Sequence, residues 1–379
     1  MAAVLAGRDR GLKARWDRQP GLSSAKISRS NYYLSAMSES QSAIIAGAGP
    51  IGLATAIAAK RRGIDPLVVD AGAIAESIVR YPVGMTFFTT PDRLEIGGHP
   101  LVCSGQKATR EEALMYYRGV ARVEGLRVRP FTRLAAARRE GDGIVCELEG
   151  TLAEPRHETV RVDRLVLATG YFDHPNRLEV PGEDLSHVSH YPVEAHSLAG
   201  LDVVIVGAKN SAIEQALGAY RAGARVTVVH RGDALRPSVK YWLRPDFENR
   251  VKAGEIGVRW GTQVVEIGPS EVVAHGPAGP ILLPADRVLL LTGYRPDFGL
   301  LRSIGIELAP DTGRPAHDPE TLESNVPGVY LAGSLTAGRF ISEVFIENGR
   351  FDGEKIFGDP SSRRQAVDSS GRIDRPVGE

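Results

Sequence analysis

Three glycines spaced as Gly47-x-Gly49-x-x-Gly52 follow a short apolar run, and an acid, Asp70, ends the next apolar run. Absent side chains let the backbone approach a pyrophosphate, and a helix opening at that point offers it free N–H groups and a positive dipole end. A carboxylate at the end of the following strand accepts hydrogen bonds from both ribose hydroxyls and repels a 2′-phosphate. The first site therefore suits FAD or NAD, not NADP. A second stretch, Gly207-Ala208-Lys209-Asn210-Ser211-Ala212, ends its unit on His230 and Arg231 in place of the acid, with Arg236 and Lys240 just beyond. A cationic strand end is the pattern for a 2′-phosphate, which favours NADPH over NADH; a solvated basic face is the competing reading. Lys209 stands where the middle glycine usually stands, narrowing backbone approach while adding a cation near the pyrophosphate.

These loops need the same supporting elements. The first copy reads as a strand over 42–46, a helix ending at Arg62 before Gly63, and a strand over 66–69. The second reads as a strand over 202–206, a helix ending near Gly223, and a strand over 225–229. Gly47/Gly207, Gly52/Ala212, Gly63/Gly223 and Asp70/His230 all lie 160 apart. One glycine motif is weak evidence, but two β-α-β units in register point to two Rossmann-type halves. A second echo pairs residues 163–171 with 286–294, each a buried strand ending in Thr-Gly-Tyr. Thr169 and Gly170 thus close the first unit, and both turns return the chain across the domain junction.

Thr109 and Glu112 form a capping-box pattern for a helix over 109–123. A last strand over 329–332 ends at Gly333-Ser334, and a helix is expected over 340–357. The fold class is α/β: two Rossmann-type nucleotide-binding domains, the NADPH domain inserted into the FAD domain. The expected boundaries are an FAD-binding domain over 41–175 and 291–357, with an NADPH-binding domain over 176–290. Residues 1–40 are arginine-rich. They read as a disordered extension, a transit leader, or sequence preceding a true start at Met37. The tail over 358–379 reads as disordered.

The chain has 379 residues, with 46 basic and 46 acidic side chains. That balance gives no field for nucleic acid or an anionic membrane. Two cysteines, Cys103 and Cys146, rule out a disulfide framework and any CxxC pair, and fit a reducing, cytoplasmic compartment. No apolar run is long enough to span a membrane.

Two dinucleotide sites in one chain imply hydride transfer from a nicotinamide to a flavin, which passes electrons on. The aromatic stretch holding Phe87 reads equally as flavin wall or ordinary core. Cys103 is a weak candidate thiol, and no other catalytic residue is selected. His187, His190 and His196 fit no metal pattern and read as a polar hinge.

These motifs resemble the flavoproteins of thioredoxin reductase type, and more closely the YpdA family of bacillithiol disulfide reductases. The resemblance covers roughly residues 42–357. It rests on the segments 47–53, 81–88, 93–98, 168–175, 206–212, 238–242 and 345–348. It implies FAD in the first unit, NADPH in the second, a homo-oligomer, and a small-molecule disulfide or small redox protein as acceptor. Two departures stand out. Ile51 occupies the glycine-loop position that is often cysteine in that family, so no mixed disulfide forms there. Ser334 follows Gly333 where related flavoproteins carry an aspartate, keeping only an uncharged contact. A ferredoxin–NADP reductase of similar fold, which needs no thiol, is the alternative. A flavin monooxygenase is echoed only loosely by Val180-Pro181-Gly182 and His187.

Overall fold

The computed structural model describes residues 41–153 and 156–358. The readings of residues 1–40 and of the tail beyond Gly358 lie outside the described residues. The first part of the chain forms β1 (Gln41–Ala46), α1 (Pro50–Arg61), β2 (Leu67–Val69), α2 (Glu76–Val79), α3 (Pro91–Leu94) and α4 (Arg110–Val123). It continues through β3 (Arg127–Arg129), β4 (Thr132–Glu140), β5 (Gly143–Gly150) and β6 (His157–Leu167). The middle part forms β7 (Val188–Ser189), β8 (Asp202–Val206), α5 (Asn210–Arg221), β9 (Arg225–Val229), α6 (Leu243–Lys252) and β10 (Ile256–Arg259). Then come β11 (Gln263–Ile267), β12 (Glu271–Gly276), β13 (Gly279–Pro284) and β14 (Arg287–Leu290). The last part holds α7 (Phe298–Ile304), β15 (Val329–Leu331), α8 (Ile346–Gly349) and α9 (Asp352–Phe357).

The first sheet runs β3-β2-β1-β6-β5-β4, and β15 also pairs with β6. β6 pairs with parallel β1 on one edge and is long enough to carry two strands on the other: antiparallel β5 along residues 157–162 and parallel β15 along 165–167. The second sheet, β10-β9-β8-β14-β7, is all parallel, and β11-β12-β13 form an antiparallel meander. Because β15 returns to β6 after the whole second sheet is built, the second nucleotide-binding unit is inserted into the first, as the repeat predicts.

β1 over 43–46 and β8 over 203–206 are apolar at every position because both faces are covered there. In β1, Ile44 packs with Leu165 and Leu301 on one face, and Ile45 with Leu53 and Tyr117 on the other. In β8, Ile205 packs toward α5 and α6, while Val204 and Val206 pack against the meander. Thr109 caps α4 with the reciprocal box: its hydroxyl accepts from Glu112 N–H, and the Glu112 carboxylate accepts from Thr109 N–H.

The stretch 340–357 differs from expectation. It is two short helices with a bend at Arg350-Phe351. Close packing imposes the bend: a methyl on Gly349 would stand 2.6 Å from Ile51 Cδ1, and one on Gly353 would stand 2.6 Å from Thr55 Cα. Arg350 Nη1 fixes the corner by donating to the Asp92 and Glu95 carbonyls at 2.6 and 2.8 Å. Among the described residues, no helix is long and apolar enough to cross a membrane.

Candidate functional site

The three glycines of the first loop serve three purposes. Gly47 has φ +113°, and a methyl there would overlap the Ala168 carbonyl oxygen. A methyl on Gly52 would overlap the Gly47 carbonyl, so this glycine lets α1 pack onto the loop that precedes it. Gly49 is different: nothing lies within 4 Å of where its Cβ would be. It is the N-cap of α1, with Pro50 at the first helical position and no side chain capping the helix. An open cradle beside uncapped helix N–H groups fits a pyrophosphate.

Asp70 sits at the end of β2, fixed by that loop. One carboxylate oxygen accepts Ala48 N–H at 2.6 Å and the other accepts Gly72 N–H at 2.8 Å. Burial raises its pKa, and the two N–H groups offset only part of that rise. Each oxygen keeps a lone pair for a ribose hydroxyl. Thr169-Gly170 and Gly333-Ser334 meet at the same sheet edge, with Ser334 Oγ 3.9 Å from the Cβ position of Gly170. Gly333 has φ +77° and faces Ile51 in the first turn of α1. Phe87 is buried in the core of this lobe, its ring edge-on to Tyr81 at 6.2 Å.

In the second loop Gly207 has φ +136°, and a methyl there would overlap the Leu291 carbonyl oxygen, the counterpart of the Gly47 contact. Ala212 is buried where the first loop needs Gly52. Lys209 is the extended, exposed N-cap of α5, and Ser211 is exposed in its first turn. The Asn210 side chain ties the helix start to the next loop, accepting Lys240 N–H at 2.9 Å and donating to the Ser238 carbonyl at 3.3 Å. His230 lies edge-on to Trp260 at 6.0 Å. Burial lowers its pKa first, and the nearby Arg236 and Arg231 lower it further. Both arginines are exposed, and neither has an ion-pair partner among the described residues. Lys240, read from the sequence as part of this basic end, is instead paired with Glu214 at 2.8 Å.

The two Thr-Gly-Tyr crossovers pair with each other. Asn176 N–H donates to the Gly293 carbonyl at 2.9 Å, and Thr292 Oγ1 donates to the Asn176 carbonyl at 2.6 Å. Around them gather Tyr81, Phe172, Tyr191 and Tyr294, with Phe172 and Tyr294 at 4.3 Å and Tyr81 and Phe172 at 5.2 Å. The repeated Thr-Gly-Tyr signals Tyr294, and Phe172 lies within the segment 168–175 that carries the resemblance; nothing local marks Tyr191. A cleft of about 320 Å³ opens here, lined by Arg80, Tyr81, Arg110 and Tyr191 among others. The second bridge between lobes is a stack of Phe88 on Trp242 at 5.3 Å, with Lys107 and Lys240 over the rings.

His187 and His190 flank β7; His187 Nε2 and both ring nitrogens of His190 lack a hydrogen-bond partner among the described residues, His190 Nε2 lying 3.5 Å from Glu183 Oε1, and His196 lies exposed in a separate turn. Among the described residues no group of side chains could hold a metal. Cys146 is buried in β5, and burial pushes its thiol up to about 12. Cys103 is half-buried in the loop before α4, and its thiol donates to the Gly105 carbonyl at 3.1 Å.

Residues 44–333 match the pyridine nucleotide-disulphide oxidoreductase family. Bacilliredoxin reductase Bdr of Bacillus subtilis (strain 168) is 41% identical over 324 residues, covering 85% of this chain and 98% of that protein. The structure of bacillithiol disulfide reductase Bdr (YpdA) from Bacillus cereus superposes with a TM-score of 0.82 at 36% identity, covering 87% of this chain and 100% of that one. Its Staphylococcus aureus counterpart gives 0.79 at 35% identity, with 87% and 99% covered.

Proposed function

This chain belongs to the pyridine nucleotide-disulphide oxidoreductase family and is an oxidoreductase, and on that premise we propose that it reduces a low-molecular-weight thiol disulfide of the bacillithiol type with electrons from NADPH, through bound FAD. The observation that carries the reading is the pair of glycine loops, each at the start of a helix with no side-chain cap, one closed by a fixed acid and the other by exposed arginines. A flavin held there would supply the chemistry of taking up a hydride and passing on two electrons.

The residues divide the work. Gly47, Gly49 and Gly52 admit the FAD pyrophosphate, and Asp70 receives the adenosine ribose. Thr169, Gly170, Gly333 and Ser334 border the rest of the flavin site, backed by Phe87. In the second lobe Gly207, Lys209, Asn210 and Ser211 receive the NADPH pyrophosphate. Arg231 and Arg236, with His230 between the sheet and the solvent, receive the 2′-phosphate. The domain boundaries proposed are 41–175 with 291–357 for FAD and 176–290 for NADPH. The protein acts in the cytoplasm as a homo-oligomer, where its two cysteines stay free.

The lack of a CxxC pair and the presence of Ile51 favour a route with no enzyme dithiol. That same pair of facts keeps a ferredoxin–NADP reductase as the second reading. An anaerobic assay tests both. The purified protein is expected to carry FAD and to consume NADPH on addition of bacillithiol disulfide, alone or through a bacilliredoxin. NADPH-dependent ferredoxin reduction without any disulfide turnover would overturn the disulfide assignment in favour of the second reading.

A further inference from the structure

The first lobe buries a carboxylate that the roles above leave unused. Asp352, the first residue of α9, is only 9% exposed, and its Oδ2 accepts the backbone N–H of Gly333 at 2.7 Å. Gly333 begins the turn that borders the flavin site, in the left-handed conformation at φ +77°. Neither partner can drift. A methyl on Gly353, next to Asp352, would stand 2.6 Å from Thr55 Cα, so α9 is locked onto α1. A methyl on Gly333 would stand 2.8 Å from Ile51 Cδ1, so the turn is locked onto the first turn of the same helix. Asp352, the Gly333 turn and the glycine-loop helix therefore form one rigid unit.

Keeping a carboxylate in this position works against stability. Burial disfavours the charged form, and a single backbone N–H offsets only part of that cost. Accordingly, burial pushes the Asp352 carboxyl up to about 6, with Gly333 N–H and Lys355 opposing the shift. A neutral acceptor would satisfy Gly333 N–H equally well. Ser334 brings no charge to the turn, so the buried carboxylate is its source of charge.

We propose that Asp352 is a positioning residue for the flavin-binding turn: its hydrogen bond fixes Gly333, and its charge, held beside the site, sets the midpoint potential of the bound flavin. The proposal rests on the FAD assignment above. Two variants separate the bond from the charge. Asp352→Asn keeps an acceptor for Gly333 N–H and loses the charge; Asp352→Ala loses both. FAD affinity is read by titrating apoprotein, midpoint potential by anaerobic titration against a reference dye, and folding by thermal melts of the apo forms. Asp352→Asn is expected to retain FAD and to shift the potential to more positive values, since a nearby negative charge opposes flavin reduction. Asp352→Ala is expected to bind FAD at least tenfold more weakly. A potential for Asp352→Asn equal to that of the unmodified protein overturns the charge role. An unchanged FAD affinity in Asp352→Ala, with only a lowered apo melting point, overturns the positioning role. If Asp352→Ala does not fold, the Asp352→Asn potential still decides. Absence of FAD from the unmodified protein would remove the FAD assignment itself, a result distinct from either variant outcome.

Discussion

The two dinucleotide loops share a backbone and differ in how they are finished. In the first, two glycines are forced by contacts within the protein, the third faces open space, and the closing acid is pinned by two backbone N–H groups. In the second, an alanine replaces the last glycine, and the closing charges are exposed arginines with no ion-pair partner among the described residues. The first site is built into the core and anchored there, which suits a group that stays through many turnovers. The second presents unsatisfied charge to solvent, which suits a molecule that must arrive, bind by electrostatic attraction, and leave.

Substitutions can break this contrast. The largest effect is expected at Gly52. Gly52→Val drives a side chain into the Gly47 carbonyl and should abolish soluble, FAD-loaded protein. Ala212→Val, at the matching place in the second loop, should leave FAD content intact; equal loss of flavin in both would erase the distinction. Gly49→Val sharpens it, because the space it fills is empty of protein atoms. The apoprotein should melt within a few degrees of the unmodified one while retaining little FAD, as judged by the absorbance of purified protein.

The buried acid of the first lobe also predicts a pH dependence of stability, opposite in sign to that expected from His230 in the second, whose lowered pKa makes stability fall as pH falls. The native state holds the Asp352 proton more tightly than the unfolded chain, whose aspartate titrates near its ordinary value of 3.8. This group's stabilising contribution is therefore complete below about pH 4 and is lost as pH rises through about 6. The shift corresponds to about 3 kcal/mol. Denaturant titrations from pH 4 to 7 should show a larger loss in the unmodified apoprotein than in Asp352→Asn, which keeps only the contribution of groups such as Asp70; parallel profiles would contradict it.

At the second site, each charge-assisted contact to phosphate contributes roughly 1.5–3 kcal/mol. Arg231→Ala should thus lower the NADPH-over-NADH preference in kcat/KM by ~10–100-fold. A fall in both cofactors' kcat/KM alike would mean that the arginine supports the lobe rather than reads the 2′-phosphate. The smallest effect concerns the thiols. The Cys103→Ser, Cys146→Ser double variant should bleach its flavin with NADPH at the unmodified rate in stopped flow, since hydride transfer needs only stacking. A slowed rate with FAD still bound would show that a cysteine supports that step.

Much of this was legible in the sequence because it is written locally. Both glycine loops, the Thr-Gly-Tyr echo and the Thr109 cap depend on residues a few positions apart, and the all-apolar strands announce sheets covered on both faces. The parts that escaped depend on distant partners. Lys240 looks like one more cation until α5 brings Glu214 beside it. The bend within 340–357 is set by Gly349 and Gly353; both are visible in the segment, but their close contacts with α1 are not. Asp352 carries no local mark at all: its meaning comes from Gly333, nineteen residues earlier. Phe88 and Trp242 meet only because the lobes do.

The paired crossovers also bear on how such a chain is put together. Asn176 and Gly293, where the chain enters and leaves the second lobe, are joined by one backbone hydrogen bond. A folded insert with adjacent ends acts on its host like a short hairpin, however many residues it contains. Loop-closure entropy grows only with the logarithm of length, and a folded insert removes even that. β6 and β15 can therefore find each other as if they were near neighbours in sequence. By the same geometry, another domain with closely spaced termini could replace the second lobe at this junction while the first sheet keeps its register, a tolerance open to both recombination and engineering.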